Sequence, residues 1–119
     1  MPVMKFAPRF VDSVLDGTKS TTIRTSVKRG IFILEAAKEQ FAQAELEPIR
    51  ELCWPDLSES DKRELVAYEG LESIEDLEKI LRQIYWYVID DILSGKRKLY
   101  LHRITNVGPV QSAPKLFAD

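Results

Sequence analysis

Apolar positions change their spacing along the chain, and the changes divide it into elements. Val3 to Ala7 reads as a short strand. Pro8 suits the first turn of a helix, after which Phe10, Val11, Val14 and Leu15 recur at helical spacing and Gly17 supplies the C-cap. Such a helix has about two turns and needs packing to hold it. Lys19 to Thr25 is then a polar, β-branched strand. Lys28-Arg29-Gly30 marks a turn, and Ile31 to Ala36 reads as a buried strand.

Phe41 to Leu52 is ambiguous. Ala42, Ala44 and Leu46 alternate with Gln43, Glu45 and Glu47, which favours a strand, whereas Ala and Glu favour helix. The alternation decides for a strand, in one piece or in two around Pro48. Trp54-Pro55 opens helical sequence. Ser58 with Asp61 signals an N-cap for a helix that runs to Tyr68 and stops at Gly70. Ser73 with Asp76 repeats the signal, and Leu77, Ile80, Leu81, Ile84, Val88 and Ile92 predict one long helix to about Ser94. Tyr85, Trp86 and Tyr87 broaden its apolar face. Gly95 ends it, and Leu99 to Val107 is the last strand. The expected order β-α-β-β-β-α-α-β implies an α+β fold with a small, partly closed mixed β-barrel and flanking helices. Residues 1–108 form the domain. Residues 109–119, with Pro109 and Pro114, form a tail; its apolar Leu116-Phe117 suits docking on the domain or on a second copy, and the sequence does not choose between them.

Composition narrows the chemistry. The 119 residues fit one core, and a net charge of −2 argues against a strong non-specific nucleic-acid binder. The charge is uneven. Residues 1–30 carry six Lys/Arg against two Asp/Glu, residues 31–95 six against sixteen, and residues 96–119 five against one. If the first and last strands were neighbours, the two basic ends would form one patch; otherwise they are solvated ends. Cys53 is the sole cysteine, so neither an internal disulfide nor a cysteine-based metal site is available. His102 is the sole histidine, and no nucleophile elbow accompanies it. No apolar run has the ~20 residues of a membrane span, and Met1 to Phe6 lacks a signal-peptide core. A cytoplasmic protein is the expectation.

The stretch with the most chemistry is Gly17-Thr18-Lys19-Ser20-Thr21-Thr22-Ile23-Arg24. In a strand, Ser20, Thr22 and Arg24 share one face and Thr21, Ile23 and Thr25 the other. Two hydroxyls and a guanidinium, with Lys19 at the mouth, suit an anion or a polar planar ligand. The same face also suits an ordinary solvent-exposed strand. It is not a phosphate loop, because Thr18 separates Gly17 from Lys19 and no glycine precedes them.

Phe6-Ala7-Pro8-Arg9-Phe10 followed by Val14 to Arg24 resembles the opening signature of the ASCH domain, a branch of the PUA-like superfamily. Ala67 to Leu71, then Ser73 to Leu77, resembles its second block, and Leu99 to Ile104 its closing strand. The resemblance spans roughly residues 4–107. It implies a PUA-like β-barrel with RNA or nucleotide-related ligands, and one branch includes a small amidohydrolase of N4-acetylcytidine. Carried over, it places Lys19 as proton acceptor, Thr22 as nucleophile and Glu69 as proton donor. Arg24 becomes an anion or carbonyl contact, with Ser20 and Tyr68 as neighbours. No metal or cofactor is needed. The chain departs from the pattern at Trp54 to Lys62, which looks like an insertion, and in its tail.

Threonine is a weak nucleophile unless a base takes its proton, and a lysine acts as that base when burial or a nearby cation depresses its pKa. Three functions follow. The first is hydrolysis of an amide on a modified nucleoside, most simply N4-acetylcytidine. The second is a non-catalytic module for RNA or a nucleotide, in which a small ligand or a short single strand fits the charge better. The third is a ribonuclease, with Lys19 and Glu69 as acid and base.

Overall fold

The structure is a computed structural model and describes residues 1–111. The Leu116-Phe117 segment lies outside the described residues.

Among the described residues, five strands form one curled half-barrel sheet in an α+β domain. They are β1 (Val3–Lys5), β2 (Thr21–Arg24), β3 (Gly30–Ala36), β4 (Glu39–Leu52) and β5 (Leu99–Gly108). The helices are α1 (Val11–Asp16), α2 (Glu59–Tyr68), α3 (Ile74–Ile84) and α4 (Ile89–Ser94). The sheet order is β1-β3-β4-β5-β2, with β1 and β3 parallel and the other pairs antiparallel. The first and last strands are therefore not neighbours, so no basic patch forms by pairing β1 with β5. It is β2, from the basic N-terminal segment, that lies beside β5.

Two expectations are settled by pairing. β4 runs unbroken through Pro48, which sits opposite His102, and a register shift between Pro48 and Arg50 accommodates the missing N–H. β2 is shorter than Lys19 to Thr25. Its approach is diverted, since the Lys19 N–H donates to the Ser13 carbonyl at 2.9 Å and the Ser20 N–H to the Tyr68 carbonyl at 2.8 Å.

The long helix expected to reach Ser94 is broken. α3 stops at Ile84, a 3-10 turn covers Trp86–Val88, and α4 starts at Ile89. Tyr85 is the cause. Its ring is buried and its hydroxyl donates to the Ile23 carbonyl at 2.7 Å, holding the chain against β2. The apolar stripe then resumes in α4, where Ile92 is fully buried in a core with Leu99 and Trp54. Trp86 and Tyr87 are turned outward, 73% and 59% exposed, so they do not join the helix's apolar face.

Trp54 to Lys62 is integral to the domain. Trp54 is 5% exposed, and Lys62 Nζ lies 4.5 Å from its ring centroid. Ser58 and Asp61 form the expected capping box of α2, and Ser73 accepts from the Asp76 N–H at the start of α3. α3 bridges two apolar clusters, with Ile80 in one and Leu77 and Leu81 in the other. The sheet edges β1 and β2 face each other beneath this helix. Arg24 spans them, its guanidinium 4.8 Å from the Phe6 ring centroid. Tyr85→Phe is expected to cost about 1–3 kcal/mol, because the buried Ile23 carbonyl loses its donor. A urea midpoint unchanged from the parent would count against that bond.

Candidate functional site

A cavity of about 270 Å³ opens between the β1 and β2 edges, with α3 as its far wall. Lys19, Thr22, Arg24 and Glu69 meet in its lining.

The end of α2 delivers Glu69. Leu71 N–H donates to the Val66 carbonyl and Gly70 N–H to the Ala67 carbonyl, the paired bonds that close a helix with a left-handed residue. That residue is Gly70, with φ +68°. A Cβ there would lie 3.3 Å from Lys19 N and from the Thr18 carbonyl atoms. The close approach brings the helix end against the chain leaving α1.

Glu69 is 6% exposed. Its Oε1 accepts from Lys19 Nζ at 2.8 Å. Its Oε2 accepts a short hydrogen bond from Thr21 Oγ1. A carboxylate at a helix C-terminus is otherwise disfavoured by the helix dipole; here two donors offset that cost. Lys19 is 4% exposed, and its Nζ also lies 4.7 Å from the Phe10 ring centroid. Burial pushes the Lys19 pKa below the usual lysine range, Glu69 opposes the shift, and the charges of Arg24 and Arg9 add to it. Burial also lowers Arg24 and raises the Tyr85 hydroxyl.

Thr22 Oγ1 accepts from Arg24 Nε at 3.0 Å. This bond uses the strand alternation, which turns both side chains toward the cavity. The guanidinium is held by burial and by the Phe6 ring, so it is a fixed donor beside the Thr22 hydroxyl.

Ser20 departs from the alternation. Ser20 Oγ lies 3.4 Å from the Tyr68 carbonyl, and both residues line a second groove with Thr21, Arg50 and Arg103. Ser20 and Tyr68 are therefore neighbours of one another but do not line the cavity that holds the other four. Thr21 is the site residue that the sequence reading missed. It lies on the strand face assigned away from the site, and alternation carries no signal for a carboxylate arriving from α2. His102 is fully buried, and its Nε2 accepts from the Lys28 N–H at 2.8 Å, a structural role. Burial lowers its pKa.

Among the described residues, no group of three or more His, Cys, Asp or Glu side chains is placed to hold a metal ion. No helix of these residues is long and apolar enough to cross a membrane. No protein-family model matches the chain, and no curated protein is similar to it.

Proposed function

We propose that the protein is an amidohydrolase of linear amides on a modified nucleoside such as N4-acetylcytidine, built on a PUA-like, ASCH-type half-barrel. One observation carries the reading. A buried Lys19–Glu69 pair at 2.8 Å lines the same cavity as Thr22, although Glu69 comes from the other half of the chain. In this reading Thr22 Oγ attacks the amide carbonyl carbon and its proton passes to Lys19 Nζ. Arg24 already donates to that oxygen, which stabilises the charge that develops as the proton leaves. Lys19 must be neutral to accept a proton, and burial favours that form. Passing one proton across the 2.8 Å bond leaves a neutral amine and a neutral acid. Glu69 then protonates the leaving nitrogen, the C–N bond breaks, and an acyl ester remains on Thr22. The proton on Lys19 then returns to Glu69 across the same bond. Water attacks the ester and gives a proton to the neutral Lys19. That proton passes to Thr22 Oγ as the C–O bond breaks, releasing the carboxylic acid and restoring the hydroxyl.

The test is cytidine release from N4-acetylcytidine by the parent protein and by Thr22→Ala. Product from the parent, with a loss of at least about a hundredfold in the variant, is the expected result. Equal rates would remove Thr22 as nucleophile. One observation favours a second reading, a module that binds RNA or a nucleotide without catalysis. Lys19 and Thr22 are both already hydrogen-bonded, to Glu69 and to Arg24. No cytidine from either protein would select it.

The pH dependence follows from Lys19. The reaction needs the one proton that the Lys19–Glu69 pair holds, since Glu69 delivers it to the leaving nitrogen, so kcat/KM is expected to fall with pH as the pair loses that proton, along a limb centred below 10.5. Within the same window the unfolded chain binds more protons than the folded one, so stability rises with pH while activity falls. A limb centred at or above 10.5 would show that Lys19 is not the base.

A further inference from the structure

The cavity has two unlike halves. Lys19, Thr22, Arg24 and Glu69 make the polar end. Leu77, Ile80, Leu81 and Ile84 of α3, with Phe6 and Phe10, wall the remainder. Tyr85 also faces it, but its hydroxyl is committed to the Ile23 carbonyl. Lys5 lies at the mouth and is exposed.

This wall decides what can be buried against it. A nucleobase carries ring nitrogens and exocyclic groups. Held there, each would lose water without gaining a partner, weakening binding by about tenfold per group. An alkyl chain has no such cost, and each methylene removed from water strengthens binding about fourfold. An acetyl group would leave most of a 270 Å³ cavity unfilled.

We infer that the apolar half is an acyl-chain site: it takes an unbranched aliphatic acyl group longer than acetyl, and the amine part of the ligand lies at the mouth beside Lys5 and Arg24. The inference rests on the reading that an amide carbonyl sits between Lys19 and Thr22. It reverses the simplest orientation, since the acyl group and not the base occupies the apolar wall.

The test separates binding from turnover. Acetamide, butanamide and hexanamide are titrated into the isotope-labelled full chain and followed by backbone amide shifts. Affinity should increase about fourfold per methylene, on the order of 200-fold from acetamide to hexanamide. The shifts should centre on residues 77–84. Ile84 is 42% exposed at the helix end, so Ile84→Asp can be made without opening the core. It should lower the hexanamide-to-acetamide affinity ratio by about tenfold. Affinity independent of chain length, an unchanged ratio in Ile84→Asp, or shifts centred on the Ser20–Tyr68 groove would each overturn the site. Turnover is read with N4-acetylcytidine and N4-hexanoylcytidine. Chain-length-dependent binding with no turnover keeps the acyl site and removes the hydrolase. Turnover in which the acetyl compound has the higher or equal kcat/KM removes the acyl site and keeps the hydrolase.

Discussion

Glu69→Ala is expected to lower the folding stability by about 3–5 kcal/mol, read from urea unfolding at neutral pH. The substitution leaves Lys19, 4% exposed, without its anionic partner. The loss should depend on pH. Glu69 is the main force holding the Lys19 pKa up against burial, so its removal lowers that pKa further. The unfolded chain then binds more protons than the folded one over a wider range below 10.5, and the variant's stability should rise with pH over a wider range than the parent's. Lys19→Met combined with Glu69→Leu should recover most of the loss, because apolar residues of similar volume replace buried ion pairs at little cost. A single variant within about 1 kcal/mol of the parent would show that the pair is not effectively buried.

Gly70→Ala should cost about 1–3 kcal/mol and should also impair the site. Two effects combine. A side chain at φ +68° is strained, and its Cβ would press on Lys19 N and the Thr18 carbonyl atoms at 3.3 Å. The neighbouring helix end serves as the control. Gly17 has φ +83° but open space around its missing Cβ, so Gly17→Ala should show the backbone strain alone, about 1 kcal/mol. Thermal midpoints of the two variants compare the effects, and chemical shifts at the Lys19 side chain report whether Glu69 has moved. Equal losses with an unmoved Lys19 signal would show that the close approach contributes nothing.

The elements were largely legible because their signals are local. Ser58 with Asp61 and Ser73 with Asp76 marked two helix starts through side chains that reach their own first turn. The alternation of Ala42, Ala44 and Leu46 marked β4, and all three are buried at 1% exposure or less. The break at Tyr85 was not legible. The stripe through Ile84, Val88 and Ile92 has the right period for one helix, and the interruption comes from a hydroxyl bonding Ile23, 62 residues earlier. Trp54 illustrates the same limit, since the resemblance sets its turn apart as an insertion while its side chain fills the core.

The amino-acid order by itself determined that Thr22 and Arg24 share a face, because strand alternation is a property of the backbone. It also determined that α2 ends at Gly70, where a glycine can take the left-handed conformation. Only the tertiary structure decided that Glu69 meets Lys19 and Thr21, that Ser20 and Tyr68 line another groove, and that α3 supplies an apolar wall. Those contacts join residues far apart in the chain. They form when the half-barrel curls and α3 packs across its two edges, an outcome set by burial of the whole core and not by any local pattern.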